Sequence, residues 1–220
     1  MQKADLVRRL IDRHGRLFSA EIGVDLSENT PSPLFRWLCA ALLLSARIPH
    51  RIAVKASRAL ADAGMTTARH MVDTAWKDRV AVLSDAGYGR FDESTARMLG
   101  DTAELLEQNY GGDLRKLRDA ADRDPKAERA AVMACKGSGE VGADIFLREM
   151  QAVWPENHPF ADGKALAAAK RLGLPETAED LAALVDRKEF PTLIAALVRA
   201  ELAGTTTEDL SSQGKKTTPH

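Results

Sequence analysis

Apolar residues return every three to four positions along nearly the whole chain, and nowhere do they alternate in the two-residue rhythm of a strand. That single pattern confines the chain to helices packed on helices. The clearest case is Ala96, Leu99, Ala103, Leu106 and Tyr110, at spacings of 3, 4, 3 and 4, with Asp92 as the expected cap and Gly111-Gly112 as the stop. Leu6, Val7, Leu10 and Ile11 mark a first helix ending near Gly15, and Leu34–Ala46 is apolar on every face. Thr66 or Thr67 can cap the helix after Gly64. Asp124-Pro125 is a cap followed by a proline at the first helical position, and Thr177-x-x-Asp180 has the spacing of a capping box. The fold class is therefore all-α, built from about ten short helices.

Composition removes several function classes. The 31 Lys and Arg balance 32 Asp and Glu, so bulk attraction of the histone kind does not explain any binding to nucleic acid. The two cysteines, Cys39 and Cys135, lack CxxC spacing; they fit a reducing compartment and exclude a four-cysteine zinc or iron–sulfur site. The longest apolar run, Leu34–Ala46, spans 13 residues and contains Arg36, too short for a membrane span. Met1-Gln2-Lys3-Ala4-Asp5 runs directly into amphipathic pattern, so no signal peptide is expected and the expected location is the cytoplasm, at the nucleoid. No phosphate-binding or dinucleotide loop is present, so no nucleotide cofactor is expected. His158 and Asp162 lie four apart, but Pro159 breaks their helical pairing and no third ligand follows, so no metal site is expected.

The residues that carry chemistry cluster late in the chain. Cys135-Lys136-Gly137-Ser138-Gly139-Glu140-Val141-Gly142-Ala143 reads as a glycine turn between two helices. Gly137 and Gly139 permit positive φ and bring bare backbone N–H groups to the surface, where a phosphate is an apt ligand. Asp162 follows 21 residues beyond Val141, at the start of another helix. By residue type alone it is equally a helix cap or a carboxylate for a sugar becoming positively charged.

These segments, in this order, resemble the helix-hairpin-helix DNA glycosylase superfamily, endonuclease III-like proteins in particular. The family hairpin reads approximately L-P-G-V-G-x-K-T-A, matched by residues 135–143; its V-D-T-H is matched by Ala161-Asp162-Gly163-Lys164. Its L-L-S-A-Q appears as Leu43-Leu44-Ser45-Ala46-Arg47, and its G-L-Y-N-x-K-A as Gly87–Ala96 with two extra residues. The resemblance covers roughly residues 33–175.

It implies a two-lobed helical fold and roles by position. Asp162 matches the catalytic aspartate. Lys136, Gly137, Ser138, Gly139 and Val141 match the hairpin that grips the DNA backbone. Arg47 matches a glutamine that fills the space left by a flipped base, and Tyr88 a wedge at the kinked step. A monovalent cation at the hairpin carbonyls is implied too, with double-stranded DNA as partner to a monomer. The departures are as informative. Val141 stands where bifunctional members carry a Schiff-base lysine, which removes the lyase step and leaves water as nucleophile. Lys136 and Lys164 are the amines nearby. The iron–sulfur cysteines are absent, so that lobe must hold by packing of residues 6–17 on 181–202. Gly163 and Lys164 replace a threonine and a histidine.

The expected domains are a six-helix-type lobe over 35–160, carrying the hairpin at about 125–152, a second lobe from 1–34 with 161–204, and a disordered tail over 205–220. The expected function is a monofunctional DNA glycosylase; a non-catalytic protein that recognises bent or damaged duplex is the alternative.

Overall fold

A computed structural model describes residues 2–211; every regular element among them is helical. The described chain divides into two compact units, one spanning Ser19–Asn157, the other joining the segment up to Phe18 to the segment from His158 onward. Residues 19–34, grouped from sequence with the terminal segments, fall in the central unit. No described helix is long and apolar enough to cross a membrane.

The central unit is organised around Pro31–Ser45, whose Leu34, Phe35, Trp37, Leu38, Ala40, Ala41 and Leu43 are all buried. A helix apolar on every face needs neighbours on every face. His50–Asp62 and Gly139–Met150 supply two of them. Trp37 Nε1 donates to the Phe146 carbonyl at 3.0 Å, which satisfies the indole without surrendering its burial. Asp92–Tyr110 packs against Ala68–Asp73 and Trp76–Asp85. That junction is locked by Arg79, which donates to the carbonyls of Ala96 at 3.0 Å, Met71 at 2.9 Å and Thr74 at 2.7 Å. Gly100 leaves room for it, since a Cβ there would lie 2.5 Å from Arg79 Nη2.

The caps at Thr67, Asp124 and Thr177 form as the sequence indicates, each side-chain oxygen accepting from a first-turn N–H. Asp92 does not. It is the first residue inside its helix, and Oδ1 accepts instead from the adjacent Glu93 N at 2.7 Å, because the 3-10 turn Gly89–Phe91 already feeds the helix in a bent conformation.

In the terminal unit, Lys3–His14 and Gly163–Arg171 both pack on Phe190–Leu202, whose Phe190, Leu193, Ile194, Ala196 and Leu197 are buried. Packing holds this unit where cysteines do not. The expected disordered tail needs correction: Thr207–Ser211 is helical and Leu210 is buried. Thr206 Oγ1 accepts from Asp209 N while Asp209 Oδ2 accepts from Thr206 N, a reciprocal cap, and Arg9 and Arg13 donate to the carbonyls of Leu210 and Asp209. One apolar residue in five gives no period to read. Residues 212–220 lie outside the described residues.

Candidate functional site

The hairpin is two helices, Pro125–Ala134 and Gly139–Met150, joined by four residues. Gly137 and Gly139 hold φ of +81° and +53°, the left-handed region where a side chain is strained. Ser138 N donates to the Cys135 carbonyl at 3.1 Å and closes the turn. Two contacts then pin it to Asp92–Tyr110. Thr102 Oγ1 donates to the Lys136 carbonyl at 3.1 Å, and Met98 lies so close that a Cβ on Gly137 would sit 2.5 Å from its sulfur.

The start of Gly139–Met150 is left open. Ser138 is in helical conformation (φ −69°, ψ −54°), and its side chain makes no capping bond. Its Oγ is buried without a partner, its N–H is taken by the Cys135 carbonyl and its carbonyl by Gly142 N, so Ser138 shapes the turn and leaves ligand contact to its neighbours. The first N–H groups of a helix have no partner within it. Here they emerge among exposed Lys136, Gly137, Gly139 and Glu140. Val141 is 59 % exposed.

Arg47 reaches the same end of the unit. Trp37 bonds Phe146, and Ser45 lies beside Gly142, where an added Cβ would be 3.8 Å from Ser45 Cβ. The two helices therefore run antiparallel, and the end of one meets the start of the other. Arg47 follows Ser45 by two residues, exposed in the bend after the helix. The structure thus brings Arg47 and the hairpin residues to one end of the central unit.

Tyr88 is different. It is 2 % exposed, its ring in the core and its N–H on the Leu83 carbonyl, so it is not presented to a duplex as a wedge. Burial raises its phenol pKa, partly offset by the Thr95 hydroxyl, although no hydrogen bond of good geometry forms. The loop's accessible groups are its neighbours: Arg90 is exposed, with its guanidinium 5.5 Å from the centroid of half-buried Phe91. Helical period gives no signal inside a glycine-flanked loop, so choosing which aromatic faces outward needed the structure.

Asp162, in the terminal unit, is 7 % exposed and caps Gly163–Arg171: Oδ1 accepts from Ala165 N at 2.9 Å. Both sequence readings of this residue keep their force, because a cap fixes the carboxylate in place. Lys164 is exposed. His158 packs edge-on against Phe190 at 5.1 Å, and burial lowers its pKa.

Other nucleophiles are poorly placed. Cys39 and Cys135 are free and buried; burial pushes the Cys135 thiol up to about 11 and the Cys39 thiol higher still, so neither is a thiolate near neutral pH. Among the described residues no group of three His, Cys, Asp or Glu side chains is arranged to hold a metal ion. One cluster is not evident in the sequence, where Arg115-Lys116-Leu117-Arg118 reads as a solvated helix face: buried Glu128 and Asn157 with part-buried Arg118 and Glu156.

No family model matches the sequence, and no curated protein matches it. Among solved structures, a trapped endonuclease III–DNA covalent intermediate, an estranged-adenine complex, aligns over 91 % of this chain and 86 % of its own, with a TM-score of 0.51 and 16 % identity. The chain has an endonuclease III-like, all-helical fold.

Proposed function

We propose that this chain is a monofunctional DNA glycosylase that hydrolyses the N-glycosidic bond of a damaged or mismatched base in double-stranded DNA, acting as a monomer in the cytoplasm, at the nucleoid. The observation that carries the reading is the open, uncapped helix start at Gly139 on an endonuclease III-like fold. Backbone N–H groups of Gly137, Gly139, Glu140 and Val141, with Lys136 beside them and Ser138 closing the turn that presents them, bind the phosphate backbone. Arg47 occupies the stack vacated by the flipped base, by hydrogen bonds or by its planar face. Asp162 stabilises the sugar as positive charge builds on it and orients water. Val141 has no amine, so no covalent intermediate forms there and the product is an abasic site in an uncut strand. A monovalent cation at the hairpin carbonyls belongs to the same proposal. An iron–sulfur cluster does not: two buried cysteines cannot supply four ligands.

A second reading, a non-catalytic protein that recognises bent or damaged duplex, draws on the burial of Tyr88 and on Gly163 and Lys164 after the aspartate. One experiment separates the two. Duplexes carrying uracil, alkylated purines, oxidised purines or mismatches are incubated under single-turnover conditions and developed with alkali. The glycosylase reading expects alkali-dependent cleavage of at least one substrate, lost in Asp162→Asn. Salt-dependent binding without abasic product on any substrate supports the second reading, and absence of duplex binding overturns both. Borohydride trapping on abasic DNA is expected to give no strong adduct; a strong one contradicts the assignment of Val141 and points to Lys136 or another amine.

A further inference from the structure

The first hairpin helix, Pro125–Ala134, is anchored at its inner face by a carboxyl group that has no business being ionised. Glu128 is fully buried. Asn157 Nδ2 donates to its Oε2, while Oε1 receives no donor and lies 4.0 Å from Arg118 Nε. That guanidinium is already engaged: it grips Glu156 with both Nε and Nη2, the latter at 2.7 Å to Oε2, and its carbon lies 5.7 Å from the centre of the Trp154 ring. One arginine therefore faces two carboxyl groups.

Two carboxylates with one cation in a buried pocket are disfavoured, and a proton on one of them converts repulsion into a hydrogen bond. Burial, then the Glu156 side chain, pushes Glu128 up to about 7, although Asn157 and Arg118 pull the other way. Burial works to raise Glu156, but the Arg118 hydrogen bonds, and then the neighbouring Glu128 side chain, hold it down to about 2. Leu114–Ala120 contributes Arg118, and Pro155–Asn157 contributes Glu156 and Asn157. Asp119, next to Arg118, also acts on that guanidinium and pairs with Arg123 at 3.3 Å; on Gly139–Met150, Asp144 is paired with Arg129 at 2.9 Å, Glu149 accepts from Ser19 N at 3.0 Å, and Arg148 is buried.

We propose that Glu128, Glu156 and Arg118 form a proton-operated clasp: with a proton held between the two carboxyls the first hairpin helix is locked to residues 154–157, and without it that helix loosens. The direction follows from linkage. Glu128 binds its proton more tightly folded than unfolded, so its contribution is fully present below about 4.5 and is lost as pH rises through about 7. Glu156 is shifted the opposite way, and its contribution is complete above about 4.5, so it does not change in that window. The clasp is thus poised near neutrality. Any effect on duplex grip rests on the DNA-binding reading above; the clasp itself does not.

Two measurements on the full chain test it. In carbon-13 NMR the Glu128 carboxyl is expected to titrate near pH 7, and a midpoint in the ordinary carboxylate range overturns the proposal. In hydrogen exchange corrected for intrinsic rates, protection of residues 125–134 is expected to fall about tenfold between pH 6 and pH 8.5. Glu128→Gln, which keeps the shape and donates an amide N–H to Glu156, is expected to abolish that fall. Equal pH dependence in the wild type and Glu128→Gln overturns the proposal. Duplex anisotropy of the same two proteins at both pH values forms a third arm, in which weakening at pH 8.5 is expected in the wild type alone. Unchanged affinity, with the first two results as expected, leaves the clasp standing and removes its link to DNA.

Discussion

Two helices of this chain begin in opposite ways. At Gly163–Arg171 a side chain closes the start: Asp162 Oδ1 takes the Ala165 N–H, and the carboxylate is buried and held. At Gly139–Met150 no side chain does so, because Ser138 is already helical and its hydroxyl is turned into the protein. The first arrangement presents a charged group with fixed orientation; the second presents main-chain donors. A held carboxylate suits chemistry on a carbon centre that turns positive, whereas open N–H groups suit a phosphate of any sequence. Side-chain identity should therefore matter most at the first start and backbone conformation most at the second.

The largest expected effect lies at Asp162. Asp162→Asn keeps a good capping residue, so stability should move by no more than about 0.5 kcal/mol, while base release falls by about 100-fold or more. Asp162→Ala loses the cap as well, at a cost of about 1 kcal/mol in denaturant unfolding. If Asp162→Asn releases base as fast as the wild type, the residue is a cap and nothing more, and the contrast between the two starts collapses.

Next come the glycines, where the two positions should differ. Alanine at φ +53° or +81° costs about 1–2 kcal/mol from backbone strain alone. At Gly139 the space around a Cβ is open, so that is the whole expected penalty. At Gly137 the new Cβ meets Met98 sulfur at 2.5 Å, which adds roughly 1–3 kcal/mol of overpacking. Unfolding curves should therefore rank Gly137→Ala below Gly139→Ala, with duplex affinity reduced in both. Equal stability would mean that Met98 moves aside freely and that the turn is less firmly pinned than its contacts imply.

How much of this was legible in the sequence follows from what each feature depends on. Helical period and cap chemistry are local, so the all-helical class, the glycine turn and the caps at Thr67, Asp124 and Thr177 could be read directly. The Asp162 cap was legible for the same reason. Exposure is not local. Tyr88 and Phe91 are three residues apart in one loop, and only the packing of that loop buries the first and leaves the second half-open. The Glu128 cluster joins residues separated by up to 38 positions, in segments whose charges look like ordinary solvated faces. The Thr207–Ser211 helix was missed although Thr206-x-x-Asp209 has the local spacing of a capping box, because one apolar residue shows no period and its other partners, Arg9 and Arg13, lie some two hundred residues earlier.

The smallest expected effect is the most direct check on the open helix start. Lys136 is exposed, and its carbonyl rather than its ammonium group holds the turn, through Thr102. Lys136→Ala should therefore leave unfolding unchanged within about 0.5 kcal/mol, the usual range for a surface substitution. If the ammonium group contacts one phosphate, the slope of log affinity against log salt should flatten by about 0.9, and affinity should weaken to the same extent for every duplex sequence. Those two outcomes together assign the residue to backbone grip. A loss confined to one sequence or lesion would instead assign it to base recognition. An unchanged slope would remove it from the interface and leave the main-chain donors of Gly137, Gly139, Glu140 and Val141 to hold the phosphate alone.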